Sequence, residues 1–440
     1  MKFLLPLLLI LSLHAAAEKP NVLFISIDDL RCELPSYGKK HIIAPNIEKL
    51  ASQGRLFKRH YVQAPTCGVS RFSLLTGLYP KGGSNNMILG YYKKPNPAPS
   101  LPHTFKKAGY TTVSIGKISH YPGNQSGKDW NDPSKPEIPG AWSRALMPCG
   151  PWKTPQAAMH GYQGGQPRAK GKNPALETTT KTPAYPDDLI LTGALAQMDQ
   201  LTTAGKPWML AVGFIKPHLP FTAPQHFLDA YKDVTFPAVP SPAKPTGKSL
   251  WHSSGEFRKY MGANPDKDPA RSLTVRKHYA ASVSYVDSNV GKLLAHLKKS
   301  PAFSNTIVIL WSDHGFSLGE KQIWGKHHLY HTAIHSPLII RLPKQPAAGE
   351  ASASVVETLD LYPTLCDLCG IAKPKHLQGS SLVNIINEPK AKSDGIANSF
   401  WGGKKSTITQ DTHTITVKGK PFLKFDLTKD PDEENPIHGK

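Results

Sequence analysis

The sequence predicts an α/β fold: a large, mostly parallel sheet sandwiched by helices, with a small C-terminal α+β subdomain. Three observations lead there. Short, nearly continuous apolar runs recur along the chain, as strands buried on both faces require. Helical patterns lie between them, and strands alternating with helices argue for a parallel sheet. Towards the C-terminus the pattern changes to alternation, which suits half-exposed antiparallel strands. Composition permits such a core, since 39% of the 440 residues are hydrophobic and 19% charged. A disordered chain would be more charged and less apolar.

The first segment reads MKFLLPLLLILSLHAAAEKP. Lys2 precedes an apolar run from Phe3 to Leu13 and the small-residue site Ala15-Ala16-Ala17. This is the pattern of a cleaved secretory signal. The run is shorter than the roughly 20 residues a membrane span needs, and no second long apolar run follows. The expectation is a soluble mature chain starting near Glu18, secreted or periplasmic, without an integral membrane span.

Asn21 to Ile27 then reads as a strand buried on both faces, closed by Asp28-Asp29. Asn46 to Gly54 reads as a capped helix with a terminal glycine. Thr112 to Gly116, Trp208 to Phe214 and Thr306 to Trp311 are further strands, the last closed by Ser312-Asp313-His314-Gly315. Helical patterns cover Asp187 to Leu201 and Val275 to Lys299. In the second, Tyr279, Val283, Val286, Val290, Leu293 and Leu297 recur at helical spacing. Tyr121 to Pro186 is rich in Pro, Gly, Lys and Thr and reads as a long insertion wandering over the surface. Pro237 to Pro269 is a second loop-rich stretch. Ser406 to Thr409 and Thr412 to Val417 alternate as antiparallel strands do. The resulting division is a signal over 1–17, a main domain over 18–386 and a small subdomain over 387–440.

Lys and Arg number 53 against 32 Asp and Glu, a formal charge of +21. Such a surplus attracts polyanions. For an exported protein these are acidic or sulfated glycans, or a cell surface. The chain has no zinc-finger spacing, RNA-binding aromatic motif or long Lys/Arg run, so nucleic acid is not the expected partner. Gly247-Lys248-Ser249 is not a phosphate loop, because Pro242 stands where the first glycine belongs. The five cysteines, Cys32, Cys67, Cys149, Cys366 and Cys369, are too few for a disulfide-built scaffold. Cys366 and Cys369 lie three apart on an expected helix. They admit a redox pair, ordinary disulfide partners or two buried thiols. One C-x-x-C without a second pair is weak evidence for zinc.

Two clusters close apolar strands: Asp28-Asp29 and Asp313-His314. Sites in open α/β sheets collect at the carboxyl ends of strands. Paired carboxylates there repel each other unless a cation neutralises them, and hard oxygen ligands favour calcium or magnesium. A third cluster is Pro65-Thr66-Cys67-Gly68-Val69-Ser70-Arg71, followed by Phe72 to Gly77. It suits a short helix beginning at Cys67, whose N–H groups and dipole favour an anion. Arg71, four residues on, shares a helix face with Cys67. A guanidinium fork matches a tetrahedral oxyanion.

Cys67 to Gly77 resembles the sulfatase signature, in which a cysteine is followed four residues later by Arg and then by a Leu-Thr-Gly segment. Lys19 to Leu30 is similar to the first strand and metal motif of that family. So are Gly116-Lys117-Ile118-Ser119-His120, Gly213 to Phe221 with its Lys216-Pro217-His218, Ser312 to Gly315, and Trp324-Gly325-Lys326. Asp360 to Leu365 and Phe425 to Asn435 extend the match to the end of the chain. The Asp313-His314 and Lys-Pro-His motifs are most similar to iduronate-2-sulfatase-like members.

The resemblance implies an alkaline phosphatase-like fold and a calcium-dependent sulfatase acting on a sulfated carbohydrate, iduronate 2-sulfate or a related uronate. It implies conversion of Cys67 to formylglycine by a formylglycine-generating or maturase enzyme, the hydrated aldehyde then attacking sulfur. Four cysteines would remain. One calcium ion would be held by Asp28, Asp29, Asp313 and His314, with the modified Cys67 completing the site. Arg71 would hold the hydrated aldehyde. Lys117 and Lys326 would bind sulfate oxygens. His218 would protonate the leaving oxygen and His120 would regenerate the aldehyde. The chain departs from the family in having Val69, where Pro or Ala is usual two residues after the cysteine, and in its short C-terminal unit. Two rival readings are a phosphonate or phosphodiester hydrolase on the same scaffold and a non-catalytic sulfoglycan-binding protein.

Overall fold

A computed structural model describes residues 19–121, 136–169, 171–262, 264–391 and 395–437. The expected signal segment and the Asn124-Gln125-Ser126 glycosylation triplet lie outside the described residues. Among the described residues no helix is long and apolar enough to cross a membrane.

The strands in chain order begin with β1 (Asn21–Asp28), β2 (Arg55–Tyr61), β3 (Thr111–Gly116) and β4 (Arg144–Leu146). They continue with β5 (Leu176–Thr179), β6 (Trp208–Pro217), β7 (Phe221–Pro224) and β8 (Thr306–Ser312). Then come β9 (Ser317–Leu318), β10 (Trp324–Gly325), β11 (Leu338–Arg341) and β12 (Ala351–Glu357). The last are β13 (Ala397–Trp401), β14 (Lys404–Ile408), β15 (Thr412–Val417) and β16 (Lys420–Asp426).

The main sheet runs β12-β2-β11-β8-β1-β6-β3-β4. Five of its pairings are parallel, and only β11 runs against its neighbours. Alternate residues of β1 point to opposite faces. Leu23, Ile25 and Ile27 pack on the side of the Pro186–Thr203 and Pro269–Lys299 helices. Val22 and Phe24 pack with Phe72, Leu74, Leu361 and Leu365 on the other. Burying each such aliphatic side chain contributes about 1.5–3 kcal/mol, which is why a continuous apolar run becomes a central strand.

The helix read as starting at Val275 begins at Pro269, capped by the Asp268 carboxylate on the Ala270 and Arg271 amides. Its first six residues are not buried and so add nothing to the apolar periodicity. The 121–186 insertion is also less superficial than expected. It supplies the edge strand β4, and β5, which pairs with β7. Ile138, Trp152, Tyr162 and Tyr185 from it are buried. Its aromatic and aliphatic residues are too irregularly spaced to show a period, yet they anchor it to the core.

β13 to β16 form an antiparallel meander. Ile408, Ile415, Leu423 and Phe425 on its inner face share a core with Tyr61, Leu329, Tyr330 and Val355. The five cysteines are all free, and Cys366 and Cys369 are buried thiols in the core beneath the sheet.

Parallel pairing decides where the chemistry falls. In β8, β1, β6 and β3, Ile27 lies beside Ser312, Ser26 beside Gly213, and Gly213 beside Gly116. The residues after these positions emerge at one edge of the sheet: Asp28-Asp29, Asp313-His314, Lys216 to His218 and Lys117 to His120. Two glycines let β3 and β6 end this close together. A Cβ on Gly213 would lie 2.2 Å from the Lys117 carbonyl oxygen, and one on Gly116, whose φ is +76°, would strike the Gly213 carbonyl.

Candidate active site

The helix Cys67–Thr76 is wholly buried and ends at Gly77, whose φ of +69° suits a left-handed cap. Cys67 sits at its first position. The Asn85 side-chain oxygen accepts the Gly68 amide at 2.9 Å and the Thr66 hydroxyl at 3.1 Å, which fixes the approach to the helix. Val69 is fully buried in the first turn.

Four ligand-capable groups converge at the sheet edge. Oxygens of Asp28 and Asp29, the Cys67 sulfur and a ring nitrogen of His314 all lie within 4.8 Å of one another, and all four residues are buried. His314 Nε2 is 3.3 Å from Cys67 Sγ and 3.3 Å from Asp29 Oδ1. Its Nδ1 faces the Gly315 carbonyl at 3.0 Å, so Nδ1 carries the proton and the Nε2 lone pair points into the cluster. Asp313 stands beside the four: its Oδ1 accepts the Asp29 amide at 3.1 Å, and its Oδ2 accepts Arg71 Nε at 3.0 Å.

Three cations surround these carboxylates. Arg71 is fully buried, and its guanidinium also donates to Ser26 Oγ at 3.2 Å, to the Ile118 carbonyl at 3.1 Å and to the Lys117 carbonyl. Lys117 donates to Asp28. Lys326 donates to Asp29 Oδ1 at 2.7 Å and lies 3.3 Å from Cys67 Sγ.

Burial and mutual repulsion perturb the three aspartates even though three cations stand against them. Burial pushes the Asp28 carboxyl up, but Lys117, His218, Arg71 and Lys326 hold it well below the usual range. Burial, with Asp28, Glu256 and Asp313 nearby, raises Asp29 well above that range against the pull of Lys326. Burial and Asp28 push Asp313 up to about 7. Burial also pushes the Cys67 thiol up. Buried carboxylates crowded this closely suit a hard divalent ion. As it stands the set mixes two hard carboxylates with a sulfur and a nitrogen; with an oxygen in place of the Cys67 sulfur it would suit a hard divalent ion such as calcium.

Two imidazoles flank the cluster. His218 follows β6 in a turn held by Lys216, whose ammonium donates to the His218 and Pro220 carbonyls at 3.2 and 2.8 Å. Asp187 accepts the Ile215 and Lys216 amides, fixing the strand end. His218 Nδ1 donates to the Leu219 carbonyl at 2.7 Å, leaving Nε2 directed elsewhere. His120 is buried against the Tyr121 ring and close enough to Lys117 and Asp28 to feel their charge. Burial and the neighbouring lysines hold both imidazoles well below the usual histidine range.

The ten residues read from the sequence thus meet at one sheet edge. The structure adds Glu256, from the 237–269 loop. Its Oε1 lies 3.6 Å from His218 Nε2 and 3.5 Å from Lys326 Nζ. A single glutamate in a loop without periodicity or motif carries no local signal, so sequence reading missed it. Trp401 of β13 is a second addition, stacked on His327 at 5.1 Å with the planes 24° apart. The neighbouring histidines have different surroundings. His328 pairs with Ser317, and His331 lies against Tyr61. Trp324 packs, buried, against Phe257, with its indole N–H on Asp266.

Comparison with known proteins gives a consistent result. The sulfatase family model matches residues 20–371. A second model, N-sulphoglucosamine sulphohydrolase, C-terminal, matches residues 319–440. A sulfatase of Formosa agariphila is 30% identical over 457 residues, spanning 94% of this chain and 82% of that protein. Human iduronate 2-sulfatase is 32% identical over 399 residues, spanning 82% of this chain and 71% of its own. The phosphonate monoester hydrolase of Agrobacterium radiobacter superposes with a TM-score of 0.75 at 21% identity, over 95% of this chain and 91% of that one. At that identity the likeness shows the shared fold.

Proposed function

The chain belongs to the sulfatase family and is a sulfuric ester hydrolase; from that premise we propose an exported, calcium-dependent enzyme whose nucleophile is made from Cys67. Its substrate is a sulfated carbohydrate, with iduronate 2-sulfate or a related sulfated uronate as the leading class. The observation that carries the reading is the buried meeting of Cys67 with Asp28, Asp29 and His314, with Lys326 3.3 Å from the sulfur. The uronate assignment draws on the likeness to human iduronate 2-sulfatase. The export assignment draws on the Lys2 to Ala17 segment.

Asp28, Asp29, Asp313 and His314, with position 67, are the residues that would hold calcium. Bound there, the ion supplies Lewis-acid polarisation of a sulfate oxygen and offsets the crowded carboxylates. A formylglycine at position 67 supplies, as its hydrate, the oxygen nucleophile. Arg71 orients position 67 and keeps Asp28 and Asp313 paired. Lys117 and Lys326 take up sulfate oxygens and stabilise the charge that grows on them in the transition state. His218 delivers a proton from Nε2 to the leaving alcohol oxygen, and His120 accepts the proton whose loss regenerates the aldehyde. Burial of all these groups excludes water and strengthens each interaction.

Mass spectrometry of the tryptic peptide His60 to Arg71, from protein exported by its native host, tests the nucleophile. An aldehyde in place of the Cys67 thiol is expected, and a thiol throughout would remove the catalytic reading. Turnover of an aryl sulfate against an aryl phosphodiester tests the reaction, the sulfate being the expected substrate.

A further inference from the structure

A cleft of about 450 Å³ opens between the loop after the Cys67–Thr76 helix and the hairpins of the C-terminal sheet. Lys81 rises from the loop, Lys404 and Lys405 from β14, and Lys418 from the turn before β16. Phe400 and Trp401 of β13 supply its aromatic wall, and no carboxylate is among its described lining residues. Lys81, Lys405 and Lys418 are exposed, and Lys404 and Trp401 half-buried. Gly402 and Gly403, with φ of +57° and +73°, turn the hairpin without placing a side chain over the cleft.

Exposed lysines often serve only as solvated surface charges. Here they border a wall of the catalytic centre. Trp401 lies against Gly83 on one side and stacks on His327 on the other. His327 donates its amide to the Pro65 carbonyl, and the residue before it, Lys326, contacts Cys67. Asn85, two residues past Gly83, binds Thr66 and Gly68 on either side of Cys67. The cleft is therefore linked to the cysteine by short runs of contacts, from Gly83 through Asn85 and from Trp401 through His327 and Lys326.

We propose that this cleft is a subsite for an anionic sugar adjoining the sulfated unit in the catalytic centre, so that the enzyme acts on sulfated oligosaccharide chains. The indole offers a face for the apolar side of a pyranose ring, as amphipathic aromatics do at wet interfaces. The lysines are compact charges suited to sulfate or carboxylate groups at varied positions. The glycine-lined rim admits a chain running out of the site. This deepens the sulfatase reading above and rests on it.

The test uses the full chain with Cys67→Ala, which binds without turnover. Sulfated tetrasaccharides from heparin, dermatan sulfate and carrageenan, and the sulfated monosaccharides they contain, are titrated by calorimetry. The expected result is that the best tetrasaccharide binds at least tenfold tighter than its monosaccharide. That gain should fall at least fivefold on adding Lys405→Ala with Lys418→Ala, and on adding Trp401→Ala. The lysines are exposed, so their variants keep the fold, which an unchanged melting temperature checks. Equal affinity for tetrasaccharides and monosaccharides, or a gain indifferent to these changes, overturns the subsite. Aryl sulfate turnover by the unsubstituted enzyme is measured alongside. Turnover without the tetrasaccharide gain defeats the subsite alone. A lysine-dependent gain without turnover defeats the catalytic reading and leaves the subsite standing.

Discussion

Glu256→Gln tests whether His218 is the proton donor and what keeps it protonated. The Nδ1 proton is committed to the Leu219 carbonyl at 2.7 Å, so a transferable proton must sit on Nε2 of an imidazolium. Burial opposes that charge, as do Lys326 and Lys117. The Glu256 carboxylate, 3.6 Å from Nε2, favours it. Two unit charges at this separation interact by about 4–5 kcal/mol at an effective dielectric near 20. Lys326 and His327 share the carboxylate, so the part felt by His218 is smaller than that. Gln keeps the shape and removes the charge. His218 then loses its proton at lower pH, and the alkaline limb of the kcat/KM profile moves down. Profiles are measured on a sugar sulfate and on a nitrophenyl sulfate, whose leaving group needs less protonation. The sugar sulfate should lose activity on the alkaline limb, about tenfold for each pH unit the limb moves, and the aryl sulfate less. An unmoved limb, or equal losses on both substrates, would refute the argument.

Calcium affinity should fall about tenfold per pH unit below about 7, because burial and Asp28 hold a proton on Asp313 up to that pH. Calorimetry across that range measures this, and a flat response removes Asp313 from the ligand set. Chelation should lower the melting temperature, and added calcium should restore it, since an ion bound only by the folded chain stabilises that state. Arg71→Ala leaves Asp28 and Asp313 without their guanidinium and should cost about 3–5 kcal/mol in denaturant unfolding; a loss near zero would mean the carboxyls are neutral without it. Gly213→Ala drives a Cβ into the Lys117 carbonyl. It should lower kcat about tenfold or more by displacing Lys117, in line with the sensitivity of catalysis to misplacement of about 1 Å. Unchanged kcat would show that β3 relaxes without moving the lysine.

Much of the scaffold was legible because its signals are local. β1, β6 and β8 are apolar runs that end at Asp, Pro or Ser, and their burial on both faces follows from the run itself. Asp28, Asp29, Lys117, His120, His218, Asp313 and His314 follow strand ends that parallel pairing gathers at one edge, whereas Cys67 and Arg71 lie on a helix and Lys326 follows β10, whose pairing is antiparallel. β2 was not legible. Its sequence, Arg55 to Tyr61, sets Arg, Lys and His among apolar residues and reads as surface. In the fold Arg55 is buried because its guanidinium donates to the Ile386, Glu350 and Pro346 carbonyls. His60 is buried between Ser336 and Thr358. Those partners are far away in sequence, and no local pattern announces them.

The same reason separates the core of the site from its surroundings. Asp28, Asp29, Cys67, Arg71, Asp313 and His314 were determined by sequence, because each belongs to a strand end or helix start that short-range rules specify. Glu256 beside His218, and Trp401 beside His327, were decided by tertiary structure. Their positions depend on how a proline-rich loop and a C-terminal meander pack across the strand ends, and that packing is a sum of many small long-range contacts no single segment encodes.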